Sequence, residues 1–173
     1  MLLLKIAIII VLLLLFIQDL LARSVYWFLF PLLIAGLIGV GGEHLSVAER
    51  CEPTLINLMF LALQLVVLSL YFSLKHKKWV NITRELIGIG DVLFLFSIAF
   101  YCSTLNYLFF YIISLITVLL CWLIFQGISA NKNRQIPLAG LQSLIFAVFL
   151  AGDWWLGLFN LTDDAWLLLL IAK

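Results

Sequence analysis

Apolar residues run almost without interruption along this chain, and the few charged ones mark where the runs end. Stretches free of Asp, Glu, Lys and Arg cover residues 6–18, 24–42, 53–74, 92–131, 135–152 and 165–172. A helix that crosses the ~30 Å hydrocarbon core of a bilayer needs about 20 such residues. The first run reaches that length once residues 1–5 are added, with Lys5 able to extend its amine outward past an apolar stem. The run 92–131 would make a helix of about 60 Å at ~1.5 Å per residue, twice the core thickness, so it must fold back once. Ser103-Thr104-Leu105-Asn106 is the expected turn, and the last run is too short to span. The pattern predicts an all-α polytopic membrane protein, a single domain over 1–173. Its six transmembrane helices are expected near 2–20, 24–42, 54–74, 88–104, 107–127 and 136–155, followed by a short C-terminal interfacial segment.

Composition removes the main competing class. The 173 residues are 66% hydrophobic and 11% charged, with a mean hydropathy of +1.24. Soluble domains are roughly 45–50% apolar and about 25% charged. A lipid bilayer is therefore the expected surrounding, with no room for a separate soluble domain. Ten Lys and Arg against nine Asp and Glu leave a net charge of +1, so no global field points to nucleic acid. Residues 1–23 also resemble a signal peptide in outline, but Ala22-Arg23-Ser24 is a poor cleavage site, and the first helix is expected to be retained.

Cation positions predict the orientation, because short loops rich in Lys and Arg stay cytoplasmic. Alternating the loops puts Arg23, Lys75, Lys77, Lys78, Arg84, Lys132 and Arg134 on one side and Lys5, Arg50 and Lys173 on the other. The first side is expected to be cytoplasmic, with both termini outside. Trp154 and Trp155 suit an outer aromatic belt and Trp79 an inner one.

Little familiar chemistry is available. Cys51, Cys102 and Cys121 have no metal-ligand spacing, although Cys51 and Cys102 both lie toward the outer face, where a disulfide is conceivable. His44 and His76 fall on opposite sides, so no metal site is expected. The nucleotide-binding glycine loops and the G-x-S-x-G hydrolase motif are missing from the sequence, and no cofactor is expected. Two acids remain. Asp19 ends the first predicted helix and Asp91 lies in the first turn of the fourth. Each alone reads as an ordinary helix-end charge. Two intervening crossings, however, return the chain to the same face, so parity places both carboxylates at one side and at matching depth. Ionised acids at membrane depth are costly and tend to face a wet cavity or a partner.

Asp91 closes the string Gly88-Ile89-Gly90-Asp91. Glycine in a helix costs roughly 1 kcal/mol relative to alanine, which is tolerable where another backbone or a substrate must come close; a helix cap or tight helix packing is the structural alternative. Two neighbouring carboxylates in a low-dielectric site share a proton and titrate together. One can deprotonate water while the other hydrogen-bonds a scissile carbonyl.

Taken together, these residues resemble the type IV prepilin peptidases, a branch of the GxGD intramembrane aspartyl proteases. The match comprises Asp19 with Arg23 and the segment Pro31-Leu32-Leu33-Ile34-Ala35-Gly36-Leu37, the Gly88-Ile89-Gly90-Asp91 string, and Ile136-Pro137-Leu138-Ala139-Gly140, similar to the family's Ile-Pro-Phe-Gly-Pro segment. Size and layout look most like the short Tad/Flp-type and preflagellin peptidases. The resemblance implies that Asp19 and Asp91 are a catalytic pair supported by Gly88, Gly90 and Pro137. It implies an aspartic endopeptidase of the inner (cytoplasmic) membrane that trims the basic leader of pilin-like or pseudopilin precursors at the cytoplasmic face. The chain departs from the family pattern at Leu93, where a Lys is usual, and at Val25-Tyr26-Trp27, where Ile-Pro-Asn is usual. Gln18 and Leu20 flank Asp19, without the Tyr-Asp motif of the presenilin and signal-peptide-peptidase branch. Two other functions fit the residues: a small transporter or channel whose paired aspartates bind a proton or cation, and a non-catalytic family member acting in pilus or secretion assembly.

Overall fold

A computed structural model describes residues 1–22, 24–41, 47–76, 88–128 and 138–171. All regular structure among them is helical: α1 (Leu2–Ala22), α2 (Leu29–Gly41), α3 (Val47–His76), α4 (Ile89–Ile98), α5 (Thr104–Ile128), α6 (Leu138–Ala151) and α7 (Ala165–Ile171), with one π-helical turn at Gly152–Leu156. By length and composition four helices can cross a membrane, Leu2–Ala22, Arg50–Lys75, Thr104–Ile124 and Leu138–Leu156. The other two apolar helices are short, with 13 residues in α2 and 10 in α4.

α6 is the most buried of the long helices and packs against α1, α4 and α5; α1 packs against both α6 and α2. The buried positions of α1, Ile8, Val11, Leu12, Leu15 and Asp19, recur every three or four residues, the spacing of one helix face. That stripe is apolar until its last member. Gly36 of α2 and Gly140 of α6 let the neighbouring helices approach, since an added methyl would lie 2.8 Å from Ile8 Cγ1 and 2.9 Å from Asp19 Cβ respectively. Close backbone approach at small residues is a recurrent way for helices to associate in lipid, where no hydrophobic effect drives them together. Phe94, Phe110 and Phe146 join α4, α5 and α6 in the core, with ring centroids 5.2–6.4 Å apart. Outward faces remain apolar: Met59, Leu63, Val66 and Leu70 on α3 and Ile112, Ile116 and Leu123 on α5 are at least half exposed, as expected for a lipid-facing surface.

Element boundaries differ from the expected ones for identifiable reasons. The second helix begins at Leu29 instead of 24, after a turn in which the Tyr26 and Trp27 carbonyls accept from the Leu29 and Phe30 amides. Pro31 then sits in the first helical turn, where its missing N–H costs nothing. The third helix begins at Val47 and runs through Pro53, which the sequence pattern puts ahead of a helix starting at 54. The fold-back in the long apolar run lies at residues 99–103; Thr104, Leu105 and Asn106, expected in the turn, already belong to α5. Cys51 is exposed, Cys102 is buried and both are free, so the conceivable disulfide is not formed.

The C-terminal segment is also more than a tail. Leu161 and Leu167 are buried, and Asp164 accepts hydrogen bonds from Ser103 Oγ (2.5 Å) and from the backbone amides of Leu105 (3.1 Å) and Asn106 (3.2 Å). It thereby caps the N-terminus of α5, satisfying amides that have no partner within the helix. Fully buried Asn106 donates to Ser103 Oγ and to the Asn160 and Asp163 carbonyls, and accepts from Trp166 Nε1. Asn106→Ala is expected to destabilise the fold by about 2–3 kcal/mol, because it leaves several buried polar groups unpaired. A lowered unfolding midpoint of the purified protein in detergent checks this; an unchanged midpoint contradicts the clasp.

Candidate functional site

Asp19 and Asp91 meet at the end of the bundle opposite Lys5, whose ammonium lies 5.4 Å from the Trp154 ring centroid. The two carboxylates are close enough to interact electrostatically. Asp19 is buried in the last turns of α1, and Asp91 is half-buried in the first turn of α4. The packing of α1 and α4 against α6 brings them together.

The N-terminus of α6 joins the pair. The backbone N–H of Gly140 donates to Asp19 Oδ2 at 2.6 Å, and the backbone of its predecessor, Ala139, hydrogen-bonds Asp91. First-turn amides of a helix have no internal acceptor and carry the positive end of the helix dipole, so they favour carboxylates. Asp91 also closes a reciprocal cap on its own helix: its amide donates to the Gly88 carbonyl (3.0 Å), and the Gly88 amide donates to Asp91 Oδ2 (3.2 Å). One turn deeper, Ser143 Oγ lies 2.7 Å from the Gly140 carbonyl of its own helix and 3.2 Å from the Leu12 carbonyl of α1, so its single proton is shared between the two helices.

Of the expected supporting residues, Gly88 is the exposed N-cap of α4 and Gly90 is half-buried within its first turn. Pro137 lies outside the described residues, as do Arg23, Lys77, Lys78, Arg84, Lys132 and Arg134 of the expected cytoplasmic side. Leu93, at the usual lysine position, is partly buried against the hydrophobic core. The sequence marks Ala139 and Gly140 only as part of the Ile136-Pro137-Leu138-Ala139-Gly140 segment and Gln18 only as a neighbour of Asp19. That the two amides and the Gln18 side chain serve the site is seen in the structure. The Gln18 side-chain oxygen accepts from the Tyr26 amide (3.2 Å), tying the α1–α2 connection to the residue beside Asp19. Among the described residues no group of three or more His, Cys, Asp or Glu side chains comes together to hold a metal ion.

Chemically, the arrangement is two neighbouring acids held by backbone dipoles. It can share a proton, bind a water between the carboxyls, or bind a cation. No family model, curated protein or solved structure matches the chain.

Proposed function

We propose that this chain is a membrane-embedded aspartyl endopeptidase that removes the basic leader from type IV prepilin-like or pseudopilin precursors. The observation that carries this proposal is the convergence of Asp19 and Asp91, from separate helices, onto successive backbone groups of α6. Packing alone gives no reason to gather two like charges where each loses hydration. A shared proton makes such a pair useful. The ionised carboxylate takes a proton from water, and the protonated partner donates a hydrogen bond to the scissile carbonyl. The water oxygen then adds to the carbonyl carbon. Collapse of the tetrahedral species breaks the C–N bond as a proton passes to the leaving nitrogen.

The Gly140 and Ala139 amides hold the two carboxyls in register while protons move, so the site needs no reorganisation during the reaction. In this proposal the four long helices, together with α2 and α4 and their flanking segments, make six crossings. The seven cations of the loops assigned to the aspartate end favour a cytoplasmic position for that end, with the chain in the inner membrane and both termini outside. The leader is then cut where a basic precursor emerges from the bilayer.

Co-expression with a type IV prepilin tests the proposal. Wild type is expected to convert the precursor to a faster-migrating form, and Asp19→Asn or Asp91→Asn to leave it full length. Wild-type cleavage by either variant rules out the two-aspartate mechanism. Absence of cleavage by wild type moves the assignment toward proton- or cation-coupled transport, or toward a non-catalytic assembly role.

A further inference from the structure

A polar layer closes the bundle at the end opposite the aspartates, and contacts tie its members to one level. Trp154 Nε1 donates to the Tyr101 hydroxyl (2.7 Å), and Lys5 lies over the Trp154 ring. Asn57 of α3 donates to the Ala99 and Cys102 carbonyls (3.3 and 2.9 Å). Gly41, the last residue of α2, lies beside the Tyr101 ring, where an added methyl would be 3.7 Å from Cδ2.

From this layer the helices reach different heights. At ~1.5 Å per residue, α1 rises about 21 Å from Lys5 to Asp19, and α6 with its π-helical turn covers a similar height from Trp154 to Gly140. α2 and the turn before it cover about 20 Å from Gly41 back to Phe28. α3 goes further. Lys75, whose ammonium lies over the Tyr71 ring, stands about 27 Å from Asn57. α5 keeps pace with α3, to which the Gln64–Tyr111 hydrogen bond ties it, and exposed Ile124 stands about 27 Å from Asn106.

The two heights fall on opposite sides, because α4 and α6 lie between α1 and α2 on one side and α3 and α5 on the other. On the α3 side Val66, Val67, Leu70 and Leu74 are more than half exposed up to Lys75, which suits the ~30 Å core of an ordinary bilayer. On the α2 side the apolar face with exposed Leu32 and Ile38 stops earlier, at the three consecutive exposed aromatics Tyr26, Trp27 and Phe28. Its other end is marked by a charge, since Arg50 Nη1 donates to the Ile38 carbonyl (3.1 Å). Aromatic side chains with a polar edge settle at the membrane–water interface, and a bilayer thins where the apolar surface it meets is short.

We propose that the bilayer around this bundle is stepped, with phospholipid headgroups at the aspartate end resting on the Tyr26–Trp27–Phe28 rim and a hydrocarbon layer of about 20 Å on the α2 face. On the α3 face the layer keeps its ordinary thickness. The partner is the phospholipid surface itself. The rim is fixed next to the acids by the Tyr26 amide, held by Gln18 beside Asp19. Headgroups and water therefore reach the two carboxylates from the α1–α2 side, without a channel between α3 and α5.

The test uses the full chain, with the exposed thiols Cys51 and Cys121 replaced by alanine, in vesicles of dioleoyl phosphatidylcholine. Nitroxides are attached to Trp27→Cys, Leu70→Cys and Leu74→Cys, and their access to oxygen and to a water-soluble nickel chelate gives their depth. Positions 27 and 70 stand at nearly the same height, about 20 Å, on opposite sides of the bundle. A nitroxide at 27 is expected at the headgroup boundary, one at 70 about 7 Å deeper in hydrocarbon, and one at 74 close to the boundary again. Equal depths at 27 and 70 overturn the step: a flat bilayer of ordinary thickness buries both, and a flat thin one leaves both shallow. Exclusion of both reagents from position 27 also overturns it, because protein, from a second copy or another partner, then covers the rim in place of lipid. Phe28→Cys reports on the same rim if Trp27→Cys lowers the unfolding midpoint. No substrate enters the measurement, so its outcome is independent of whether the chain cleaves peptides.

Discussion

Asp19→Asn and Asp91→Asn are each expected to slow leader cleavage by about 10²–10⁴-fold, the range for removing a positioned acid or base, while leaving the fold nearly intact. Asparagine keeps an oxygen that can still accept from the Gly140 amide at position 19 and from the Gly88 amide at position 91. In the proposed mechanism the two aspartates work on one shared proton, so the double variant should be little slower than either single one. Asp91→Ala makes the useful comparison. It should be as inactive as Asp91→Asn but less stable, by about 0.5–1 kcal/mol, because alanine has no side-chain acceptor for the Gly88 amide and the first turn of α4 loses its reciprocal cap. Single-turnover cleavage rates and unfolding midpoints measured on the same preparations separate the two effects. Equal stability of the Asn and Ala variants, or multiplying rate losses in the double variant, contradicts this picture.

The second large effect falls on a residue with no reactive group. Gly140→Ala puts a methyl 2.9 Å from Asp19 Cβ, 3.0 Å from its Oδ2 and 3.2 Å from the Phe16 carbonyl oxygen. Relief by sliding α6 is opposed one turn away by the shared Ser143 hydrogen bond to the Leu12 carbonyl. The expected cost is about 1–3 kcal/mol of stability, typical of overpacking. A displacement of about 1 Å at the carboxylates is enough to lose 10²-fold in rate. Gly41→Ala is the matched control: its added methyl would have no neighbour nearer than 3.6 Å, so stability and cleavage should both stay at wild-type level. Similar losses in the two variants would show that glycine substitution in general, and not the α1–α6 approach, is responsible.

Alternation of the apolar runs predicts that Asp19 and Asp91 lie at one end, and the packing of α1, α4 and α6 puts them there. Of the six spans expected from run length, four are helices long and apolar enough to cross a membrane, because α2 and α4 have only 13 and 10 residues. Partners that act through backbone atoms leave no such trace. The Ala139 and Gly140 amides are invisible in a hydrophobicity pattern; the resemblance marks Ile136-Pro137-Leu138-Ala139-Gly140 as a segment, but not that its backbone N–H groups meet the carboxylates. Helix starts are misplaced for a related reason. Charge-free runs show where lipid can be crossed, whereas Pro31 and the carbonyls of Tyr26 and Trp27 decide where α2 winds. The C-terminal clasp is equally hard to read, because its polar residues, Asn106, Asn160 and Asp164, look like ordinary loop residues. Only contact across the chain shows that they cap α5 and cover the bundle end.

The central claim is that Asp19 and Asp91 form one site at one face of the membrane. Cysteines placed at 19 and 91 in a chain whose Cys51, Cys102 and Cys121 are replaced by alanine test it most directly. The account predicts that membrane-impermeant thiol reagents reach both positions from the same side and that a short bifunctional maleimide links them within one chain. Labelling from opposite sides, or no cross-link in a folded protein labelled at both positions, would contradict it.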